Sequence, residues 1–113
     1  MTRQQGFDVR VAPHVLESID DARDPRQPAA FFDAVDRLAR HGTRAPGAKK
    51  LKALDLWEIR FRDSRAFFTS VPGKRVIAVG AVTSKKSRRL RTSRLRTIEH
   101  QVQRWRRQLE IEG

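Results

Sequence analysis

The sequence predicts one α+β domain over residues 1–113, in which an N-terminal helical hairpin and a C-terminal helix pack on a four-stranded, mainly antiparallel sheet. Three observations lead to this prediction. A chain of 113 residues is long enough for one hydrophobic core and too short for two. Apolar residues alternate with polar ones near the N-terminus and again in the middle of the chain, as in strands. Apolar residues at helical spacing lie between and after these stretches, which gives the order β-α-α-β-β-β-α.

The first third of the chain predicts a strand followed by two helices. Apolar and charged residues alternate over residues 7–11, as in a half-buried strand. Pro13 suits the first turn of a helix, which should end at the Asp-Pro break of residues 24–25. A second helix follows Pro28, and Gly42 closes it. The two helices should form a hairpin across the sheet.

The middle of the chain predicts a loop and three consecutive strands. Residues 43–50 contain Gly, Pro and three basic residues, which indicates a mobile connecting loop. Alternation returns at residues 57–61, and further strands should follow at residues 65–71 and 76–82. Residues 71–74 place Pro and Gly where a type II turn requires them. The last of these strands is apolar throughout, which is typical of a central strand covered on both faces.

The final segment predicts an amphipathic helix. Its apolar residues recur at intervals of three and four, and arginines lie between them. Gly80 in the preceding strand should allow a neighbouring element to approach closely. The apolar stripe that should pack on the sheet consists of Leu95, Ile98, Val102, Trp105 and Leu109.

The formal net charge of +12 is unevenly distributed. Residues 1–40 carry six basic and seven acidic side chains, a net charge of −1; residues 41–84 carry nine and three, for +6; residues 85–113 carry ten and three, for +7. An arginine-rich composition alone would not spare the first third. One side of the molecule should therefore present a positive field to a polyanion, of which nucleic acid is the commonest.

Several classes of chemistry lack the residues they need. The absence of cysteine excludes disulfides, thiolate nucleophiles and cysteine-ligated zinc. His14, His41 and His100 do not have the spacing of metal ligands, and no P-loop, GxGxxG or GxSxG motif is present. No stretch approaches the roughly 20 apolar residues of a membrane span, and the N-terminus does not resemble a signal sequence. We expect a cytoplasmic protein without a metal, a cofactor or a membrane partner.

Basic residues stand at the ends of the predicted strands. Arg60 lies on the polar face of one strand, Arg65 begins the next, and Lys85 and Lys86 follow the last. Because neighbouring strands lie about 4.8 Å apart, these side chains can converge and clamp a phosphate. A lysine beside other cations can also have a lowered pKa and transfer protons. The spacing alone leaves open the alternative that they are solvated charges at strand ends.

The stretch at residues 49–86 resembles a known family. Its beginning, K-K-L-K-A-L-D-L-W-E-I-R at residues 49–60, resembles the K-x-L-x-x-L-W-E-L-R motif of HigB-like toxins in the RelE/ParE superfamily. R-A-F-F at residues 65–68 resembles their Y-R-x-x-F strand. Residues 76–82 resemble their apolar strand, and T-S-K-K at residues 83–86 resembles their F-x-K-K ending.

This resemblance implies a ribosome-dependent mRNA endonuclease that a cognate antitoxin, often a helix-turn-helix protein, holds inactive. It implies that Arg65 holds the scissile phosphate and that Arg60 adds supporting charge. Lys85 or Lys86 would transfer a proton while the RNA 2′-hydroxyl attacks the phosphate without a metal. We expect further RNA-binding residues at Lys49, Lys50, Lys52, Arg62, Arg88, Arg89 and Arg91.

Two other functions are compatible with the same residues. A ParE-like inhibitor would bind DNA gyrase and perform no RNA chemistry. A basic binding module would hold RNA through the C-terminal helix without cutting it. Salt dependence does not separate the three functions, because phosphate contacts release counterions in each of them.

Overall fold

The strands and helices form in the predicted order, with one additional strand. The computed structural model describes residues 6–52, 54–83 and 92–112. None of the helices in these ranges is both long enough and apolar enough to span a membrane. The strands are β1 (Asp8–Val11), β2 (Ala48–Lys50), β3 (Trp57–Phe61), β4 (Ser64–Ser70) and β5 (Val76–Thr83). The α-helices are α1 (Pro13–Asp20), α2 (Arg26–His41) and α3 (Thr92–Glu112).

The sheet has the strand order β1-β5-β4-β3-β2. β1 runs parallel to β5, and the other three pairings are antiparallel. The prediction of a mainly antiparallel α+β sheet is therefore confirmed. β5 is an interior strand of the sheet, and its Ile77, Ala78 and Val79 are fully buried although their side chains alternate between the two faces. Helices cover both faces of this strand, which explains why its sequence is apolar throughout, as predicted.

The prediction of four strands was wrong, because β2 lies within the stretch expected to be a mobile loop. β2 has only three residues, and it pairs with β3 at the edge of the sheet. Its Lys49 and Lys50 are exposed. Three residues are too few to show alternation, and lysine on an edge strand discourages pairing with another chain. The strand is defined by its partner and has no periodic pattern of its own.

The helical hairpin of α1 and α2 covers one face of the sheet, which we call the hairpin face. Phe31 of α2 is fully buried, and its ring meets that of Phe61 edge to face with centroids 5.3 Å apart. Ile59 of β3 and Phe68 of β4 belong to the same core. Each such side chain contributes about 1.5–3 kcal/mol on burial. This face therefore contains the larger apolar core.

The boundaries of the hairpin helices differ from the prediction by a few residues. α1 ends at Asp20, and α2 begins at Arg26, before Pro28. Pro28 fits the first turn of α2, because the backbone N–H groups there have no partner within the helix. The carboxylate of Asp24 accepts a hydrogen bond of 2.9 Å from the backbone N–H of Arg26. This acidic residue, which belongs to the predicted Asp-Pro break, helps to start the helix.

α3 packs on the opposite face of the sheet, which we call the α3 face. Ile98 and Val102 bury against Phe67 of β4 and Ala81 of β5. A Cβ atom on Gly80 would lie 2.7 Å from the Cα of Val102, so only glycine permits this approach. The predicted close approach at Gly80 is confirmed, and α3 is the element that makes it.

Two further predictions about α3 and the turns are confirmed. Trp105 is partly buried among apolar residues, and its indole Nε1 donates a hydrogen bond of 2.9 Å to the backbone oxygen of Arg10. It therefore packs in the core, as its place on the apolar stripe predicted. In the β4–β5 turn, Gly73 has φ of 75°, and the N–H of Lys74 donates to the oxygen of Val71 at 3.2 Å, as in a type II turn.

Candidate nucleic-acid interface

A group of charged side chains lies at one end of the α3 face. Residues directly opposite each other on antiparallel strands point to the same face. Arg60 of β3 is paired with Arg65 of β4, which is paired with Thr83 of β5. Glu58 follows the same alternation and is paired with Lys49 of β2. We call Lys49, Glu58, Arg60 and Arg65 the basic cluster.

Glu58 stands at the centre of the basic cluster. Its Oε1 lies 3.7 Å from Nη1 of Arg65, and its Oε2 lies 4.0 Å from Nζ of Lys49. The Glu58 side chain is only 5% exposed, whereas the Lys49 side chain is 67% exposed. Three cations and one carboxylate leave the cluster positive. A phosphate approaching from solvent would meet Lys49 and the exposed Arg60 first.

Hydrogen bonds to the β2–β3 loop fix α3 beside the cluster. The Nε2 of Gln103 donates to the backbone oxygen of Asp55 at 2.8 Å, and the backbone N–H of Asp55 donates to Glu99 Oε2 at 3.0 Å. Thr69 Oγ1 lies 3.4 Å from Asp55 Oδ1 on the other side. These bonds join β4, α3 and the loop leading into β3. The strand that carries Glu58 and Arg60 is therefore held against the helix.

The structure brings some of the sequence-predicted site residues together. Arg60, Arg65 and Lys49 lie in the basic cluster. The predicted residues Lys85, Lys86, Arg88, Arg89 and Arg91 lie outside the described residues. β5 ends at Thr83, which is paired with Arg65 of the basic cluster.

Other predicted RNA-binding residues lie elsewhere. Lys50 is paired with Trp57, whose side chain packs against the hairpin core, so Lys50 lies on the hairpin face. The Nζ of Lys50 donates a hydrogen bond of 2.8 Å to the backbone oxygen of Leu54. Lys52 is exposed in the β2–β3 loop. Arg62 occupies the β3–β4 turn with φ of 52°, and its Nη2 lies 3.4 Å from Asp24 Oδ2. Neither Lys50 nor Arg62 therefore lies in the basic cluster.

Asp24 is paired with two arginines on the hairpin side of the molecule. Hydrogen bonds from the side chain and the backbone of Arg26, together with the nearby charges of Arg26 and Arg62, lower the pKa of Asp24 from 3.8 to about 2. The same pairing raises the pKa of Arg26. This group links the start of α2 to the β3–β4 turn, which makes its role structural.

Glu58 was not predicted to be a site residue. Strand alternation already placed it on the face of Arg60, but it gave no sign that the carboxylate would be buried between two cations. One of these cations, Lys49, lies on β2, a strand that was not predicted. Within the described ranges, no three His, Asp or Glu side chains are grouped to hold a metal ion.

Comparisons with known proteins support the fold. No protein-family model matches the chain, and no curated protein matches it. Among solved structures, the chain is similar to a chain in the crystal structure of the archaeal RelE-RelB complex from Pyrococcus horikoshii OT3. The TM-score is 0.60 with 16% sequence identity, and the match covers 73% of this chain and 98% of the other. The chain therefore has a RelE-like fold, as the motif resemblance implied.

Proposed function

We propose that this protein is the toxin of a type II toxin–antitoxin system and that it cuts mRNA on the ribosome. The cross-strand pair of Arg60 and Arg65, beside Lys49, is the observation that carries the proposal. Two guanidinium groups on neighbouring strands match the needs of a phosphate with several anionic oxygens. The RelE-like fold and the motif resemblance at residues 49–86 support it.

The proposed reaction uses the RNA's own nucleophile. The 2′-hydroxyl loses its proton and attacks the adjacent phosphorus, the P–O5′ bond breaks, and the 5′-oxygen gains a proton. The products are a 2′,3′-cyclic phosphate and a 5′-hydroxyl end. Negative charge grows on the phosphate during the attack, and fixed positive groups that stabilise such charge contribute a large part of the rate.

We assign roles to individual residues within this reaction. Arg65 holds the scissile phosphate, and Arg60 stabilises the developing charge from the neighbouring strand. Because the chain contains no tyrosine, Lys85 or Lys86 is proposed to transfer protons. No step requires a metal. Arg88, Arg89 and Arg91 would extend the contact along the RNA backbone.

The proposal includes two macromolecular partners. An antitoxin of helix-turn-helix type would bind and inhibit the protein, and the similar archaeal structure is itself a complex, of RelE with RelB. The translating ribosome would supply mRNA in an extended form, which places the activity in the cytoplasm. The net charge of +12 favours association with ribosomal RNA.

The test is translation in vitro with purified ribosomes and one defined mRNA, followed by mapping of the new RNA ends. The wild type should cut the message and leave 5′-hydroxyl ends. Arg65→Ala should lose about 10²–10³-fold in rate, the usual loss when one stabilising donor is removed. Arg40→Ala is the matched control, because Arg40 is 70% exposed on α2 and lies outside the basic cluster. It should cut like the wild type.

Other outcomes would replace the proposal with a different function. An intact message together with trapped gyrase and broken DNA would identify a ParE-like gyrase inhibitor. An intact message that nevertheless binds the protein, with gyrase unaffected, would identify a non-catalytic RNA-binding module. Equal cleavage by the wild type and Arg65→Ala would contradict the assignment of the phosphate to Arg65.

A further inference from the structure

A buried carboxylate in a surface that should bind a polyanion needs a physical reason. Glu58 lowers the positive potential of the basic cluster, which by itself weakens attraction for RNA. Burial to 5% exposure also removes most of its hydration, a cost that is tolerated only when the charge is paired. The benefit that offsets both effects should come from what the carboxylate does to its neighbours.

The neighbours of Glu58 come from both adjacent strands. β2 supplies Lys49 at 4.0 Å from Oε2, and β4 supplies Arg65 at 3.7 Å from Oε1. The two carboxylate oxygens therefore face different cations. Without the carboxylate, Lys49 and Arg65 would repel each other, and both have long side chains that gain entropy when they extend into water.

We propose that Glu58 is a positioning residue that holds the guanidinium of Arg65 against the sheet in the orientation needed for RNA cleavage. The Arg65 side chain is 18% exposed, so it lies along the sheet surface and does not extend into solvent. Glu58 itself is too buried to meet the substrate. The inference rests on the proposed nuclease function.

Glu58→Gln keeps the shape of the side chain and removes its charge. The variant separates two possible roles of Glu58, lowering the positive potential and positioning Arg65, because the two roles predict opposite changes in the cleavage rate. If Glu58 only reduces the positive potential, its neutralisation should strengthen RNA binding and leave the cleavage step unchanged or faster. If it positions Arg65, binding should be equal or tighter, while the rate constant for cleavage falls. An effect confined to kcat with KM unchanged or lower is the signature of lost alignment.

The experiment measures kcat and KM for cleavage of ribosome-bound mRNA by the wild type, Glu58→Gln and Glu110→Gln. Glu110 is the matched control, since its Oε2 lies 2.9 Å from Nη1 of Arg106 at the far end of α3. We expect Glu58→Gln to lose at least about tenfold in kcat, because a small displacement of a catalytic group has a large effect on the rate. Glu110→Gln should have the same kcat as the wild type. Unchanged kcat in Glu58→Gln would overturn the proposal, as would an equal loss in both variants.

A second measurement does not depend on cleavage. Side-chain NMR of arginine Nε–Hε groups reports how fast each guanidinium exchanges its protons with water. In the wild type, exchange at Arg65 should be slower than at the exposed Arg94 of α3, and Glu58→Gln should remove most of the difference. Equal exchange at Arg65 in both proteins would overturn the positioning role. If the wild type never cuts RNA but exchange at Arg65 is slow and becomes fast in Glu58→Gln, the nuclease proposal is refuted, whereas the contact by which Glu58 holds Arg65 is not.

Discussion

The two faces of the sheet differ in how they use charged residues. On the hairpin face, apolar side chains fill the space beneath α1 and α2, and charges remain on the outer surface of the helices. On the α3 face, apolar packing covers one part and the basic cluster occupies the other. The same strands serve both faces, because successive residues alternate between them. A substitution on the hairpin face of a strand should therefore change mainly stability, whereas a substitution of the next residue, on the α3 face, can change the proposed chemistry.

The arginines of the helices show the same contrast. On α2, Arg37 Nε lies 3.5 Å from Asp33 and Arg40 Nε lies 3.2 Å from Asp36, so each is paired with an acid one turn away. On α3, several exposed arginines have no acidic partner within the part of the chain that the structure describes. The positive field therefore belongs mainly to the α3 side. These α3 arginines are Arg94, Arg96, Arg104 and Arg107.

Phe31→Ala should have the largest effect on stability. It removes a fully buried ring from the hairpin core and leaves a cavity, which costs about 3–5 kcal/mol of the free energy of unfolding. Urea denaturation followed by circular dichroism measures the change. The exposed Phe32 next to it provides the control, and Phe32→Ala should cost far less. A similar loss for both would mean that the hairpin core does not dominate stability.

Gly80→Ala should cost about 1–3 kcal/mol, because the new methyl group collides with the backbone of Val102. Since α3 must shift to accommodate it, cleavage of mRNA should fall by more than the unfolded fraction explains. Thermal denaturation and the cleavage rate, measured on the same preparation, check both effects. A variant with wild-type stability would contradict the close packing of α3 on β5.

Trp105→Phe should cost about 1 kcal/mol, since it keeps an aromatic ring but loses the hydrogen bond to Arg10. The control is Trp57→Phe. The indole of Trp57 stacks on the ring of Phe68 with centroids 6.2 Å apart, and it donates no hydrogen bond among the described residues. Urea denaturation should show the larger loss for Trp105→Phe. The reverse order would contradict the anchoring of α3 to β1.

Asp24→Asn should have the smallest effect, and that effect should depend on pH. The folded-state pKa of Asp24 is lowered to about 2 from 3.8, so its charge stabilises the fold above a pH of about 4. This contribution disappears as the pH falls toward about 2. The melting temperatures of wild type and variant should therefore differ at neutral pH and converge in acid. A constant difference would show that the carboxylate charge is not involved.

Sequence patterns predicted most of the fold but only part of the candidate site. Alternation identified β1 and β3, a continuous apolar run identified β5, and helical spacing identified the helices, because each of these elements has enough residues to show its pattern. β2 and the burial of Glu58 depend on which residues of neighbouring strands face each other once the strands pair, and no pattern within a single strand contains this information. Arg60 and Arg65 were predicted by their places at strand ends, and strand register explains their proximity.

The central claim is that Arg60 and Arg65 act on one phosphate from neighbouring strands. A double-mutant cycle on the cleavage rate tests it most directly, using Arg60→Ala, Arg65→Ala and the double variant on ribosome-bound mRNA. Groups that serve one phosphate lose their effect together, so the double variant should be at least about fivefold faster than the product of the single losses predicts. Strictly multiplicative losses would show that the two arginines act at separate places, which would contradict the claim.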